Sequence, residues 1–177
     1  MRNRGWELAL NYRGQIGRDV TYMIGASVAD ATAVVTEYQN PTGTDPANNW
    51  YVGKEVGEIW GYRSPGLLQS QADADAYNAN YDLSYISSSK WTPGDVILKD
   101  LNKDGKINKG SNVLGDMGDM EIIGNTTPRY NYTINLSVGW KGLNLSALFQ
   151  GVGKRDWWPG GSYYFWGWGP FAQVTVF

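Results

Sequence analysis

The chain has 177 residues, room for one ordinary domain, and its 15 Lys plus Arg against 17 Asp plus Glu give a formal net charge of −2. No whole-chain basic field exists to hold nucleic acid or an anionic membrane surface. His and Cys are both absent, which excludes imidazole acid–base catalysis, thiol nucleophiles, disulfides and the usual zinc, copper, haem and iron–sulfur ligation, and leaves only oxygen donors for a metal.

With 23 glycines, 14% aromatic residues and 18% charged residues, against roughly 25% charged in an average globular chain, the composition favours strands and turns over helices. No apolar run approaches ~18 residues, so no transmembrane helix is expected. The basic start Met1-Arg2-Asn3-Arg4 is followed by Glu7, Asn11 and Arg13, which break the apolar stretch that an export signal requires.

In chain order, Trp6, Leu8, Leu10 and Tyr12 alternate with Glu7, Ala9, Asn11 and Arg13, predicting a strand over about 6–12. After a turn at Gly14 to Arg18, Val20, Tyr22, Ile24, Ala26 and Val28 alternate with Asp19, Thr21, Met23, Gly25 and Ser27, predicting a second strand over about 19–29. From Asp30 to Pro128 the chain is rich in Asn, Asp, Gly and Ser, with at most one short helix near Ala72 to Tyr81. The cleanest strand follows, over 130–140, where every even position from Tyr130 to Trp140 is apolar and every odd one is Asn, Thr, Ser or Gly. Lys141-Gly142 makes a short hairpin connection to a fourth strand over about 143–151, and a second long loop is expected over 152–172.

A connection as long as 30–128 is anomalous inside a compact domain. Short turns at one end, long loops at the other, and strands of about 9–11 residues with aromatics at their ends match a transmembrane β-barrel with apolar residues to lipid and polar ones to the lumen. The fold class is therefore all-β, read as part of a large antiparallel barrel comprising two hairpins and a long outer loop. The alternative is a soluble antiparallel sandwich with one wet face, serving as a calcium-stabilised carbohydrate-binding module.

Asp100-Leu101-Asn102-Lys103-Asp104-Gly105-Lys106-Ile107-Asn108 reproduces the opening of a calcium loop. Side-chain oxygens fall at positions 1, 3 and 5, Gly at 6, the Lys106 carbonyl at 7, an apolar residue at 8 and Asn108 at 9, where it binds directly or through water. Position 12, the usual bidentate carboxylate, is Ser111, and the nearest substitutes are Asp116, Asp119 and Glu121. The competing reading is an ion-free Asx-rich turn.

Trp157, Trp158, Tyr163, Tyr164, Phe165, Trp166, Trp168 and Phe171 form an aromatic cluster interrupted by glycines. Its flat faces suit sugar rings, making Trp157, Trp158, Trp166 and Trp168 candidate substrate contacts, although an interfacial girdle accounts for the same residues. Asp95, Asp100, Asp104, Asp116, Asp119 and Glu121 could supply a glycosidase pair, but their turn-rich, ion-like setting explains them without catalysis, and no enzyme is expected. Arg63 and Arg155 read as solvated loop charges.

Taken together, Val56-Gly57-Glu58-Ile59-Trp60-Gly61-Tyr62-Arg63, Gly66-Leu67-Leu68-Gln69-Ser70, Pro93-Gly94-Asp95, the 100–108 loop, Ile123-Gly124-Asn125-Thr126-Thr127-Pro128-Arg129-Tyr130 and Phe149-Gln150-Gly151-Val152-Gly153-Lys154-Arg155-Asp156 resemble the C-terminal part of SusC/RagA-type TonB-dependent outer-membrane transporters. The resemblance implies a large barrel in the outer membrane of a Gram-negative bacterium, importing oligosaccharides or peptides. It also implies a SusD-type surface lipoprotein as lid, the TonB complex acting through an N-terminal part, and lipid around the barrel. Within that pattern an acidic residue closes the ion loop shortly before Ile-Gly-Asn, and Asp119 is the match, displaced by an insertion over Gly110 to Gly118. The four strands expected here cannot close a barrel alone, so the resemblance implies a piece of a larger one.

Overall fold

The computed structural model describes residues 1–157. Strands β1 (Arg2–Ile16), β2 (Val20–Val34), β7 (Arg129–Trp140) and β8 (Leu143–Lys154) form one antiparallel sheet in the order β1-β2-β7-β8. The intervening chain carries β3 (Glu58–Tyr62), β4 (Gly66–Leu67), α1 (Gln71–Asn80), β5 (Val96–Ile97) and β6 (Met120–Asn125), with β3 paired to β6 and β4 to β5.

The strands outrun the apolar alternation that announces them. β1 and β2 pair without interruption from Ile16↔Val20 to Arg2↔Val34, because ladder hydrogen bonds continue wherever two backbones stay aligned, whatever the side chains. The first turn is accordingly Gly17 to Asp19 rather than Gly14 to Arg18, with Gly17 at φ +63. Gly14 belongs to the ladder, and the ring of its partner Tyr22 lies where a Cβ would be. The β7–β8 turn is tight, with Lys141 at φ +44 and Gly142 at φ +88, the paired left-handed conformation that matches strand twist.

Directly opposed residues of an antiparallel ladder share a face. The pairs Tyr12↔Ile24 and Ile24↔Leu136, then Leu136↔Ala147, carry one apolar row across all four strands. The pairs Ala9↔Ser27, Ser27↔Thr133 and Thr133↔Gln150 carry a polar row on the opposite side. Among the described residues no other strand or helix packs on either face, and Leu10 and Leu145 remain 65% and 75% exposed.

The buried core sits instead in the long connection, which is structured rather than irregular and starts after Val34. Leu68, Ala74, Tyr77, Leu83 and Ile107 form it, with Tyr62, Trp91, Ile97 and Leu98 packed around. Helix α1 begins at a capping box, where the Ser70 hydroxyl accepts from the Asp73 N–H and Asp73 accepts from the Ser70 N–H. It turns Ala74 and Tyr77 inward, and the Tyr77 hydroxyl donates to the Leu98 carbonyl at 2.7 Å.

The two ends of the connection are tied where they leave the sheet. Arg129 donates to both oxygens of Asp30, at 2.5 and 2.6 Å, and its third nitrogen lies 3.6 Å from Glu55. The Asn125 N–H donates to Asp156, so β8 is joined to the same place.

Candidate metal loop and sheet faces

Each acidic side chain of the 100–108 loop holds backbone N–H groups. Asp100 accepts from Lys103 at 2.6 Å and Gly105 at 2.9 Å, one on each oxygen. Asn102 accepts from the Asp104 N–H at 3.0 Å, and Asp104 from the Lys106 N–H at 2.8 Å. Lys103 and Gly105 take φ of +63 and +76, which bends the chain around Asp100. Lys106 is bridged to Asp82, and Ile107 is fully buried in the loop core, so position 8 anchors this segment as the spacing predicts.

Of the three candidate closing carboxylates, only Asp119 returns. Its Oδ1 accepts from the Leu101 N–H at 2.8 Å, its Oδ2 from the Asn108 N–H at 2.9 Å, and its own N–H donates to the Asn108 carbonyl at 2.9 Å. Asp119 is fully buried, and no cationic side chain pairs with it among the described residues. Asp116 is held by the Ser111 N–H and hydroxyl, and Glu121 by Arg63. Arg63 is thus ion-paired while remaining an exposed loop charge, and Arg155, also exposed, donates to the Thr126 carbonyl at 3.2 Å.

The inserted residues fold outward. Asn112 and Leu114 exchange backbone hydrogen bonds with Asp45 and Gly43, while Asn108 accepts from the Gly110 N–H at 2.6 Å. Two tyrosines that spacing did not single out stand near the site. Burial pushes the Tyr62 phenol up to about 12, with the charges of Tyr85 and Asp119 adding to it. Burial also raises Tyr77, helped by the charges of Tyr81, Asp100 and Asp119 and opposed by its bond to Leu98. The Ser111 hydroxyl and N–H hold Asp116 below its ordinary value, as those of Ser84 do for Asp82.

Among the described residues no three acidic side chains converge to hold a metal by themselves. The donor set of the loop is all oxygen, and Asp119 contributes a buried carboxylate that accepts from two neutral N–H groups.

On the sheet, the polar face holds a shallow hollow of about 500 Å³ near the short turns, walled by Arg13, Thr21, Met23, Ser137 and Asn144 and floored at Gly139. Of the aromatic candidates, Trp157 is exposed; Trp158, Trp166 and Trp168 lie outside the described residues. No protein-family model matches the chain, and no curated protein matches it.

Proposed function

We propose that this chain is a segment of an outer-membrane, TonB-energised importer of oligosaccharides or peptides, with the 35–128 connection on the outer side beneath a SusD-type lipoprotein. The observation that carries the barrel part is the four-stranded sheet, which among the described residues has one uncovered apolar face, one polar face, and long unpaired edges at β1 and β8. Lipid covers such a face at no cost, and further strands satisfy such edges. From Tyr130 to Trp140 the strand rises about 33 Å at about 3.3 Å per residue, and a tilt of roughly 40° leaves about 25 Å, the height of an outward apolar band. The transport reading, its energisation and its partners rest on the resemblance in sequence.

The chain has no Cys, so single cysteines report cleanly. In the full-length protein in membranes, a cysteine at Leu136 is expected to resist a water-soluble maleimide and a label there to be quenched by brominated lipid, whereas one at Asn135 shows neither effect. Lipid quenching at neither position would favour the soluble module.

We propose further that Asp100, Asn102, Asp104, the Lys106 carbonyl and Asp119, with Asn108 directly or through water, hold a structural calcium ion. What supports this is the loop spacing together with the return of Asp119, a buried carboxylate with no cationic side chain paired to it among the described residues. The ion would neutralise that charge and pin the connection near the start of β7. Binding the folded form alone, calcium at about 100 times its dissociation constant adds roughly 2.7 kcal/mol to the loop. Proteolysis with calcium or chelator is the test: protection is expected with calcium and lost in Asp104→Ala and Asp119→Ala. Equal cleavage in both conditions would leave an ion-free turn.

A further inference from the structure

The apolar face of the sheet has one charged end. Along that face β1 presents Arg2, Arg4, Trp6, Leu8, Leu10 and Tyr12, as its register with β2 requires. At the short-turn end the same face runs out through Ile16, Val20, Trp140 and Leu143, all apolar. At the loop end Trp6 is followed by two exposed guanidinium groups, and neither is ion-paired among the described residues. The acid nearest in register, Asp30 opposite Trp6, is already occupied by Arg129 through both oxygens.

We propose that Arg2 and Arg4 form a binding site for the phosphate of an anionic lipid headgroup in the leaflet on the loop side. This rests on the barrel reading, which makes the face of Trp6 the lipid face. Depth supports it. Arg4 lies about 7 Å of strand beyond Trp6, or about 5 Å along the membrane normal at a tilt of roughly 40°, and the headgroup layer is about 5–8 Å thick on each side. An aromatic residue marks the interface, and an arginine one pleat further out keeps its stem along the lipid while its planar fork meets phosphate with two parallel hydrogen bonds. The chain as a whole is weakly acidic, so the attraction is local to this edge.

The test folds full-length protein into phosphatidylcholine vesicles and titrates phosphatidylglycerol, reading the lipid retained on the extracted protein by native mass spectrometry. Removing one arginine is expected to lower the apparent affinity for phosphatidylglycerol about fivefold, and Arg2→Gln with Arg4→Gln about thirtyfold. Arg4→Lys, which keeps the charge and loses the planar fork, is expected to recover only part of the affinity, and Lys141→Gln, at the short-turn end, to keep all of it. Equal affinity in wild type and the double variant would overturn the site. Competition by soluble glycerol phosphate as effective as the lipid would replace it with a free-phosphate site. Failure of every variant, wild type included, to enter even neutral vesicles would overturn the barrel reading, and the lipid site with it.

Discussion

The four-stranded sheet and the connection between β2 and β7 treat apolar side chains in opposite ways. In the sheet they are set in rows by register and left open, so that Leu10, Leu136 and Leu145 are all exposed. In the connection a smaller set, Leu68, Ala74, Tyr77, Leu83 and Ile107, closes on itself around a single short helix. The difference separates two kinds of stability. The connection carries its own core, as a small domain in water must, whereas the sheet, among the described residues, leaves its apolar face uncovered, and on the proposed reading lipid completes it.

The largest effect that sharpens this contrast is expected at Ile107, which is fully buried beneath the acidic loop. Ile107→Ala leaves a cavity costing about 2–5 kcal/mol. Limited proteolysis should show the 35–128 region opening while, on the proposed reading, the difference in gel migration between heated and unheated parent barrel is unchanged. Loss of both together would mean that the two regions fold as one unit.

Next comes the sheet itself. On the proposed reading, Leu136→Arg faces lipid and costs roughly 2–4 kcal/mol near the midplane, whereas Asn135→Arg, on the opposite face, is tolerated. Assembly scored by heat-modifiable gel migration should fail for the first and survive for the second, and equal outcomes would break the contrast.

A smaller effect is expected at the start of α1. Ser70→Ala removes the hydroxyl of the capping box and costs about 1 kcal/mol, visible as faster amide exchange over 71–80 with none in β7. The smallest effect is one of pH. Asp116 is held below its ordinary carboxyl value by Ser111, so its contribution is complete above about pH 4 and disappears as pH falls through the lowered folded value. Acidification from about pH 5 to about pH 3 should speed cleavage near Ser111 in wild type more than in Ser111→Ala.

The sheet was legible because a period of two survives in sequence wherever one face is apolar: Tyr130 to Trp140 and the other three strands of the sheet announce themselves. The outer ends of β1 and β2 were not, since Arg2, Arg4, Asp30 and Thr32 continue the ladder without continuing the pattern. The pairing of Glu58–Tyr62 with Met120–Asn125 left no local mark either. Its partners are distant in the chain, and the register slips between Ile59 and Trp60. At the acidic loop, offsets located Asp100 to Asn108 and the resemblance in sequence picked Asp119 over Asp116 and Glu121; what offsets could not show is that Ser111 and Arg63 hold the other two.

The latch of Arg129 on Asp30 has a consequence for how such a chain can change over time. Because β2 and β7 are already neighbours, paired from Val20↔Trp140 to Ala29↔Asn131, the chain from Val35 to Pro128, beyond the last β1–β2 pair Arg2↔Val34, is a cassette hung on a simple meander. Its length carries little penalty, since doubling a flexible loop costs only about 0.6 kcal/mol. The cassette can be enlarged, shortened or exchanged for another without disturbing a single strand register, and a tight turn in its place would leave the same four strands in the same order.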